Sequence, residues 1–338
     1  MNKIKVFLII FLVTAAGSIF AQRIGTAGAS ELLIPVGARG VALGSSVLTT
    51  SQGADAIFWN PANLARSNDG VDVLASHMNY IADIGIEYGA IGVNVGSFGH
   101  LGFSIKGYSF GDITKTTVQH PDGTGQTFSP QYLTIGATYS KMLSDRVSVG
   151  LNVNYISETL DLVSATGLGF DVGVTYSDVA GVSGLDFAVI LKNLGPDMTF
   201  DGSGLFLSAT ADGQARGDQF YKISAAAFSL PTSLDIGVGY RLNIDDQNML
   251  NLNGSFSNNN FYTDQYRAGA EYSYDNLLFF RAGYIYTADF ESSDVVYKFS
   301  AGFGLHYDLG GVNFKLDYAY LPAEFFSDTH VFSIGLGL

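Results

Sequence analysis

The five histidines are the first residues to consider for catalysis or metal binding. His77, His100, His120, His306 and His330 are dispersed along the chain. They form no His-Glu-x-x-His motif and no pair at the spacing of metal ligands. An acyl-transfer site would need a serine from a distant segment, and any histidine could join one by chance. We therefore predict that the protein is not an enzyme and that it needs no metal ion or other cofactor.

Composition points instead to a membrane protein. Only 14% of the residues are charged, whereas a soluble protein carries about 25%, and the mean hydropathy is +0.22. After the first 21 residues, no segment approaches the run of about 18 apolar residues that a transmembrane helix needs. A chain that is apolar on average but never for long is typical of a membrane β-barrel, in which alternate residues face lipid. The formal charge of −14 excludes nucleic acid as a partner, because binding phosphates requires a basic face.

The N-terminus has the pattern of a secretory signal peptide. Lys3 and Lys5 precede an apolar stretch from Val6 to Phe20, and Ala21 supplies a small residue before Gln22. The apolar stretch is shorter than the roughly 20 residues of a membrane-spanning helix, so an uncleaved anchor is the weaker alternative. We predict cleavage after residue 21 and export to the outer membrane of a Gram-negative bacterium. The chain has no cysteine, so it relies on no disulfide bonds.

Period-two alternation runs through the rest of the chain. In segment 168–176, for example, Phe170, Val172 and Val174 alternate with polar or small residues. The pattern predicts an all-β membrane barrel of 14 antiparallel strands. The predicted strands are 71–80, 85–95, 100–108, 131–142, 146–158, 166–177, 185–193, 232–242, 249–257, 265–273, 277–287, 296–307, 312–320 and 329–338. With a periplasmic N-terminus, the two long connections, 109–130 and 194–231, fall outside the cell, as bacterial barrels require.

The segment before the first strand has a different amino-acid composition. Residues 22–70 are rich in small residues, and Pro61 stops any helix near Asn60. A segment this apolar would not stay exposed in the periplasm. A 14-stranded barrel has a lumen wide enough to need filling, and the segment could lie there. We predict three parts: a signal peptide (1–21), a small helical hatch (22–70) that plugs the lumen, and the barrel (71–338). Trp59 is expected to anchor the hatch against the inner wall.

The hatch sequence resembles the N-terminal motif of the PorV/PorQ family. The similar residues are GARGVALGSS from Gly37, then Ala54, then FWNPANLA from Phe58. The motif residues taken as the hatch site are Gly37, Ala38, Gly40, Gly44, Ala54, Trp59, Asn60, Pro61 and Ala62. The family lies within a wider FadL-like group of outer-membrane barrels. The resemblance implies a role in type IX secretion, with the translocon barrel and the C-terminal domains of secreted cargo as partners.

Two further sets of residues are candidates for function. If the register is right, six charges face the lumen, where a pairing network that holds the hatch is favoured over a substrate path: Asp171, Asp235, Arg241, Lys298, Lys315 and Asp317. Exposed apolar residues on external loops usually contact a partner or fold back over the barrel mouth. The candidates for partner binding are Leu205, Phe206, Leu207, Phe220, Tyr221, Phe325 and Phe326.

Two alternatives stay open beside the secretion role. A FadL-like barrel could pass a hydrophobic small molecule, and a scaffold barrel could only seal a side opening of a larger translocon. A continuous apolar tunnel with a gap in the wall would favour transport. A lumen closed by the hatch, together with apolar external loops, would favour protein binding. Because one fold serves several functions, the site has to decide between them.

Overall fold

The computed structural model describes residues 27–210, 217–288 and 295–338. The predicted signal peptide (1–21) and the first residues of the predicted hatch (22–26) lie outside the described residues. The described part forms a closed antiparallel barrel of 14 strands, in the order β1-β18-β17-β16-β15-β14-β13-β12-β9-β8-β7-β6-β3-β2. The prediction of a 14-stranded barrel with a helical N-terminal segment is confirmed.

The described strands, numbered in chain order, include four short ones outside the barrel (β4, β5, β10 and β11). They are β1 (Val71–Asn79), β2 (Gly85–Asn94), β3 (His100–Ser109), β4 (Ile113–Thr114), β5 (Thr127–Phe128), β6 (Gln131–Ser144), β7 (Val147–Leu160), β8 (Val163–Tyr176), β9 (Leu185–Leu194), β10 (Phe206–Ala209), β11 (Gln219–Lys222), β12 (Ser233–Asn243), β13 (Asn248–Asn259), β14 (Gln265–Tyr274), β15 (Leu278–Thr287), β16 (Phe299–Asp308), β17 (Asn313–Leu321) and β18 (Thr329–Gly337). The pairs β4–β5 and β10–β11 form two hairpins within the two long loops.

Each wall strand separates its residues by face. In β8, Phe170, Val172 and Val174 are exposed on the outer surface, whereas Asp171 and Thr175 are buried on the inner one. Closing the sheet leaves no free edge, because β1 pairs with β18 along its length and Ala75 lies opposite Ile334. The inner face can therefore be polar, as in other membrane barrels, since lipid contacts only the outer one.

The N-terminal segment lies inside this ring. It comprises two short α-helices, α1 (Ala38–Ala42) and α2 (Ala56–Trp59), and three 3₁₀ helices, Ser30–Leu33, Gly53–Asp55 and Pro61–Arg66. We call the described residues 27–70 the hatch. No helix among the described residues is long and apolar enough to cross a membrane. Further 3₁₀ turns, outside the hatch, are Ile81–Asp83, Gly96–Phe98, Val179–Gly181 and Ser203–Leu205.

The two ends of the barrel differ. One end has short connections, such as the two residues between β6 and β7, and the sequence assigns it to the periplasm. The other end carries the long loops with the hairpins. The hatch begins at this long-loop end, where the Gly28 amide donates a hydrogen bond to the Ser229 carbonyl at 2.9 Å. It then descends to the short-turn end, where the chain enters β1.

Candidate functional site

The Asn60-Pro61 element docks the hatch onto strand β8. Asn60 is fully buried; its Nδ2 donates to the Leu48 carbonyl and to Thr175 Oγ1, both at 2.8 Å, and its Oδ1 accepts from the Ala62 amide at 3.1 Å. Thr175 Oγ1 in turn donates to Asn63 Oδ1 at 2.7 Å. Every polar group of the Asn60 amide is thus satisfied away from water. Pro61 begins the following 3₁₀ helix, where the fixed φ of proline suits the first position.

Trp59 ties two parts of the hatch together. The side chain is 3% exposed and packs in one cluster with Leu43 and Val47. Gly40, in α1, lies so close that a Cβ there would overlap the indole ring. Its ring packs beside α1, and Lys192 Nζ of the wall strand β9 lies 5.6 Å from the ring centroid. That Trp59 anchors the hatch against the inner wall stays a prediction.

Inward-facing glycines of the wall receive the hatch. A Cβ on Gly150 of β7 would overlap the backbone of Pro61 and Ala62, and one on Gly173 of β8 would overlap Asn60 Oδ1. The same relation recurs around the ring: Gly92 and Gly102 face Leu64, Gly237 faces Leu48, Gly269 faces Leu43 and Gly302 faces Ala42. The space that these glycines leave in the lumen is thus occupied by the hatch, whose backbone approaches the wall more closely than any side chain would allow.

A chain of buried ion pairs joins the hatch to the wall. Arg39 of α1 binds Glu271 of β14 through two nitrogen–oxygen contacts of 2.9 Å. Glu271 Oε2 also accepts from Arg281 Nε at 2.7 Å, and Arg281 Nη1 lies 2.6 Å from Asp317 Oδ1. His306 completes the chain at 3.1 Å from Asp317. Each charged group has a neighbour of opposite charge and well-directed hydrogen bonds. The network can therefore stay charged although its carboxylates are buried.

The predicted lumen charges divide into three groups. Asp317 belongs to the ion network, and Lys315 Nζ lies 3.6 Å from Asp72 Oδ1. Asp171 and Asp235 are buried in the lumen and accept hydrogen bonds from neutral groups of the wall. The other two charges lie toward the ends of the barrel. Arg241 borders a cavity at the short-turn end, and Lys298 precedes β16 at the long-loop end, 3.1 Å from Glu324.

A cavity of about 220 Å³ lies between the hatch and the wall at the short-turn end. Its lining mixes charged residues, among them Arg39, Asp55 and Asp317, with the apolar side chains of Met249 and Phe279. Burial raises the pKa of the Asp55 carboxyl to about 6, against the opposing effect of Arg39. The cavity is local, has a mixed lining and is not a continuous apolar tunnel. Among the described residues, no group of three or more histidines and carboxylates is placed to bind a metal ion.

Two hatch sites escaped the sequence prediction. Arg66 Nη2 binds Asp186 Oδ2 of β9 at 2.8 Å, and Asn63 shares Thr175 with Asn60. The inward carboxylate and guanidinium of the main network, Glu271 and Arg281, were also missed, although the alternation of their strands places both on the inner face. The role of Asn63 could also have been predicted from the sequence, because this residue follows Asn60 by three positions within the same motif.

The predicted partner-binding residues occupy two separate external sites. We call the paired strands β10 and β11 the outer hairpin. Every residue of these two strands is exposed, and Phe220 is 80% exposed. Phe325 and Phe326 are exposed on the loop between β17 and β18. The order of strands places four strands between β12 and β17, so the two sites lie on different sectors of the rim. Near Phe228 the long loop folds back over the lumen, where this ring covers Gly28.

Comparison with solved structures defines the class of protein. The fold resembles that of a Pseudomonas aeruginosa FadL homologue, with 10% sequence identity, a TM-score of 0.55 and coverage of 90% of this chain and 98% of that chain. It also resembles a structure described as the CymD monoaromatic hydrocarbon channel, with 16% identity, a TM-score of 0.54 and coverage of 90% of this chain and 97% of that chain. A third similar structure is that of the Pseudomonas putida toluene transporter TodX, with 13% identity, a TM-score of 0.51 and coverage of 88% of this chain and 96% of that chain. No curated protein matches the chain significantly. The protein is a β-barrel with the fold of these FadL-like structures.

The sequence of the hatch and of most of the barrel identifies the family. The profile described as "Type IX secretion system protein PorV" matches residues 18–266. The chain belongs to the PorV family, which confirms the resemblance read from the hatch motif. It is an outer-membrane barrel of the type IX secretion system. The proteins of this family serve secretion and transport.

Proposed function

We propose that the protein is a sealed barrel that binds the C-terminal domains of secreted cargo and the translocon barrel of type IX secretion. Its external apolar segments make these contacts, and its lumen conducts nothing. The observation that carries the proposal is the outer hairpin: an exposed apolar ribbon on a barrel whose interior is occupied.

The seating of the hatch supports the sealed state. Hydrogen bonds or ion pairs join the hatch to β3, β6, β8, β9, β13, β14, β16 and β18. Opening a path would break several of these contacts at once, together with the glycine contacts behind them. Each neighbouring pair of wall strands is hydrogen-bonded in the described residues, so the ring is continuous. Such a barrel suits a role as a binding platform better than a role as a channel.

The chemistry of the outer hairpin supports a protein partner. Phe206, Leu207, Phe220 and Tyr221 are all exposed, and they stand on a two-stranded ribbon beyond the barrel wall. Aromatic side chains of this kind are enriched at the centres of protein interfaces. The ribbon also has free strand edges that could pair with a strand of a partner domain. Phe325 and Phe326 form a second contact, on another sector, for the other partner.

The test is to purify the tagged protein from native outer membranes in mild detergent and to identify everything that accompanies it. We expect secreted proteins that share a C-terminal domain, together with a very large barrel protein. A variant with Phe206, Leu207, Phe220 and Tyr221 replaced by Ser should recover at least about tenfold less of one partner, since each buried aromatic anchor contributes about 2 kcal/mol or more. The Phe325→Ser/Phe326→Ser variant should lose the other.

The matched control replaces Ile113 and Val118, exposed apolar residues in the other long loop, by Ser. This variant should keep both partners. Equal recovery of both partners by all variants would refute the assignment of these sites. A barrel recovered without protein partners but with bound fatty acid would instead support transport of hydrophobic molecules, the alternative suggested by the fold of the channel and transporter structures.

A further inference from the structure

A second, smaller cavity lies in the middle of the lumen, between the hatch and the strands β2, β3, β6, β7, β8 and β9. Its volume is about 40 Å³, and the hatch covers it with Leu32, Ile57 and Phe58. The wall contributes two lysines, Lys106 of β3 and Lys192 of β9. The cavity has room for a few water-sized groups but not for an acyl chain. It is therefore distinct from any site for a large hydrophobic molecule.

Lys106 is buried and Lys192 is half-buried, and neither has a carboxylate in salt-bridge range among the described residues. Lys106 is 4% exposed; its ammonium donates to the carbonyls of Glu31 and Ile34 at 2.9 and 2.6 Å. Lys192 donates to the Phe58 carbonyl at 2.9 Å. Both ammonium groups also lie about 5 Å from the centre of the Phe58 ring. An ammonium has three donors, so Lys106 keeps one free and Lys192 keeps two.

The carboxylate of the lining is already used as an acceptor. Asp171 accepts hydrogen bonds from Asn152 Nδ2 and Asn154 Nδ2 on one oxygen and from the Asn193 amide on the other. Asp171 and Asp235 of the neighbouring strand β12 both act on the charge of Lys192, but in the described residues neither accepts a hydrogen bond from an ammonium group of the cavity. The remaining donors of the two lysines therefore lack an acceptor of their own.

Two neighbouring groups reinforce the excess of donors. Tyr88 is 5% exposed, and its hydroxyl faces Ser104 but has no hydrogen-bond partner of normal geometry in the described part of the chain. Glu31 is the nearest hatch carboxyl to Lys106. Burial and the neighbouring Glu158 raise the pKa of Glu31 to about 8, so at neutral pH this carboxyl is mostly protonated.

We propose that this cavity binds one small monovalent anion, such as chloride, between Lys106, Lys192 and the Tyr88 hydroxyl. The anion accepts the hydrogen bonds that the two ammonium groups and the Tyr88 hydroxyl leave free. It thereby fixes the Phe58 end of α2 and the Glu31–Ile34 segment to the wall. The site is a structural one, and it does not depend on the proposed partners of the outer hairpin.

Bromide tests the site directly, because it replaces chloride and is located by anomalous diffraction. Crystals grown in sodium bromide should show an anomalous peak in the cavity. In detergent, replacing gluconate by bromide at constant ionic strength should raise the Tm by about 2 to 4 °C, since a ligand that binds only the folded state stabilises it by mass action. The Lys192→Met variant should lose both the peak and the shift.

The control is Lys222→Met, which removes a lysine from the exposed outer hairpin and should keep the full bromide shift. Tyr88→Phe removes one donor and should weaken bromide binding about three- to tenfold, even if the lysine variant fails to assemble. Water alone in the cavity would overturn the proposal. An anomalous peak without an effect on Tm would mean an adventitious ion only and would overturn it as well. A long-chain fatty acid retained through its carboxylate would overturn it equally, and native mass spectrometry distinguishes that case.

Discussion

Arg39 of the hatch and Glu271 of strand β14 form a two-pronged ion pair, with Nε and Nη2 each 2.9 Å from a carboxylate oxygen. The two residues are 232 positions apart in the sequence. Their pairing joins the first α-helix of the hatch, α1, to the wall of the barrel. It also connects the hatch to Arg281 and Asp317, so the charges of the lumen act as one network and not as separate pairs.

Removing the carboxylate at the centre of this network should be strongly destabilising. In Glu271→Gln, Arg39 loses its counter-charge and Arg281 keeps only Asp317. We expect a loss of about 3 to 5 kcal/mol in the free energy of unfolding, measured by denaturant titration of the barrel in lipid. Arg39→Met should cost less, because Glu271 still pairs with Arg281. Lys298→Met, which breaks an exposed pair at the mouth, should cost under about 1 kcal/mol.

The glycine contacts predict a sharp difference between two alanine substitutions on inward faces. In Gly150→Ala the new Cβ meets the backbone of Pro61 and Ala62, so the hatch cannot seat. We expect a larger uptake of an antibiotic that intact outer membranes exclude, and less folded protein on heat-modifiability gels. Gly169→Ala places its Cβ at ordinary contact distances of 3.4 Å or more and should match the natural protein. Equal leakage in both variants would refute the docking role of Gly150.

Trp59 is the single tryptophan and reports on the packing of the hatch. In Gly40→Ala the added methyl group meets the indole ring and should displace it. The tryptophan emission should shift to longer wavelength, and quenching by acrylamide should increase. Gly254→Ala, on the wall strand β13 with open space around it, should leave the emission unchanged. An unchanged spectrum in Gly40→Ala would show that the ring does not depend on the close approach of α1.

The N-terminal part of the hatch should loosen as the pH rises. Burial raises the pKa of Glu31 from 4.5 to about 8, so the folded state binds more protons than the unfolded state between these values. The contribution of Glu31 to stability is therefore full below pH 4.5 and is lost as the pH approaches 8. Amide exchange of residues 27–36 should accelerate from pH 5 to 9, beyond the intrinsic effect of pH on exchange. Glu31→Gln should remove this added pH dependence.

The alternation of side chains was sufficient to predict the wall. Strands such as β8 show opposite chemistry on their two faces in the sequence, because lipid selects one face and the lumen the other. The same reasoning extended to inward charges and assigned Asp171 and Asp235 to inward faces, where both side chains are buried. It did not find Glu271 and Arg281 as partners of Arg39, since a register gives the direction of a side chain but not what occupies the space in front of it.

The sequence by itself determined that this chain forms a 14-stranded outer-membrane barrel of the PorV family, because strand period and hatch motif are local features of the chain. Only the tertiary structure decided how the hatch is held. Asn60 meets Thr175, Pro61 meets Gly150, and Arg39 meets Glu271 across separations that no local pattern records. The neighbours of Trp59 were likewise decided by the tertiary structure: a side chain packs against whatever closure of the barrel brings to it, and closure is a property of the whole sheet.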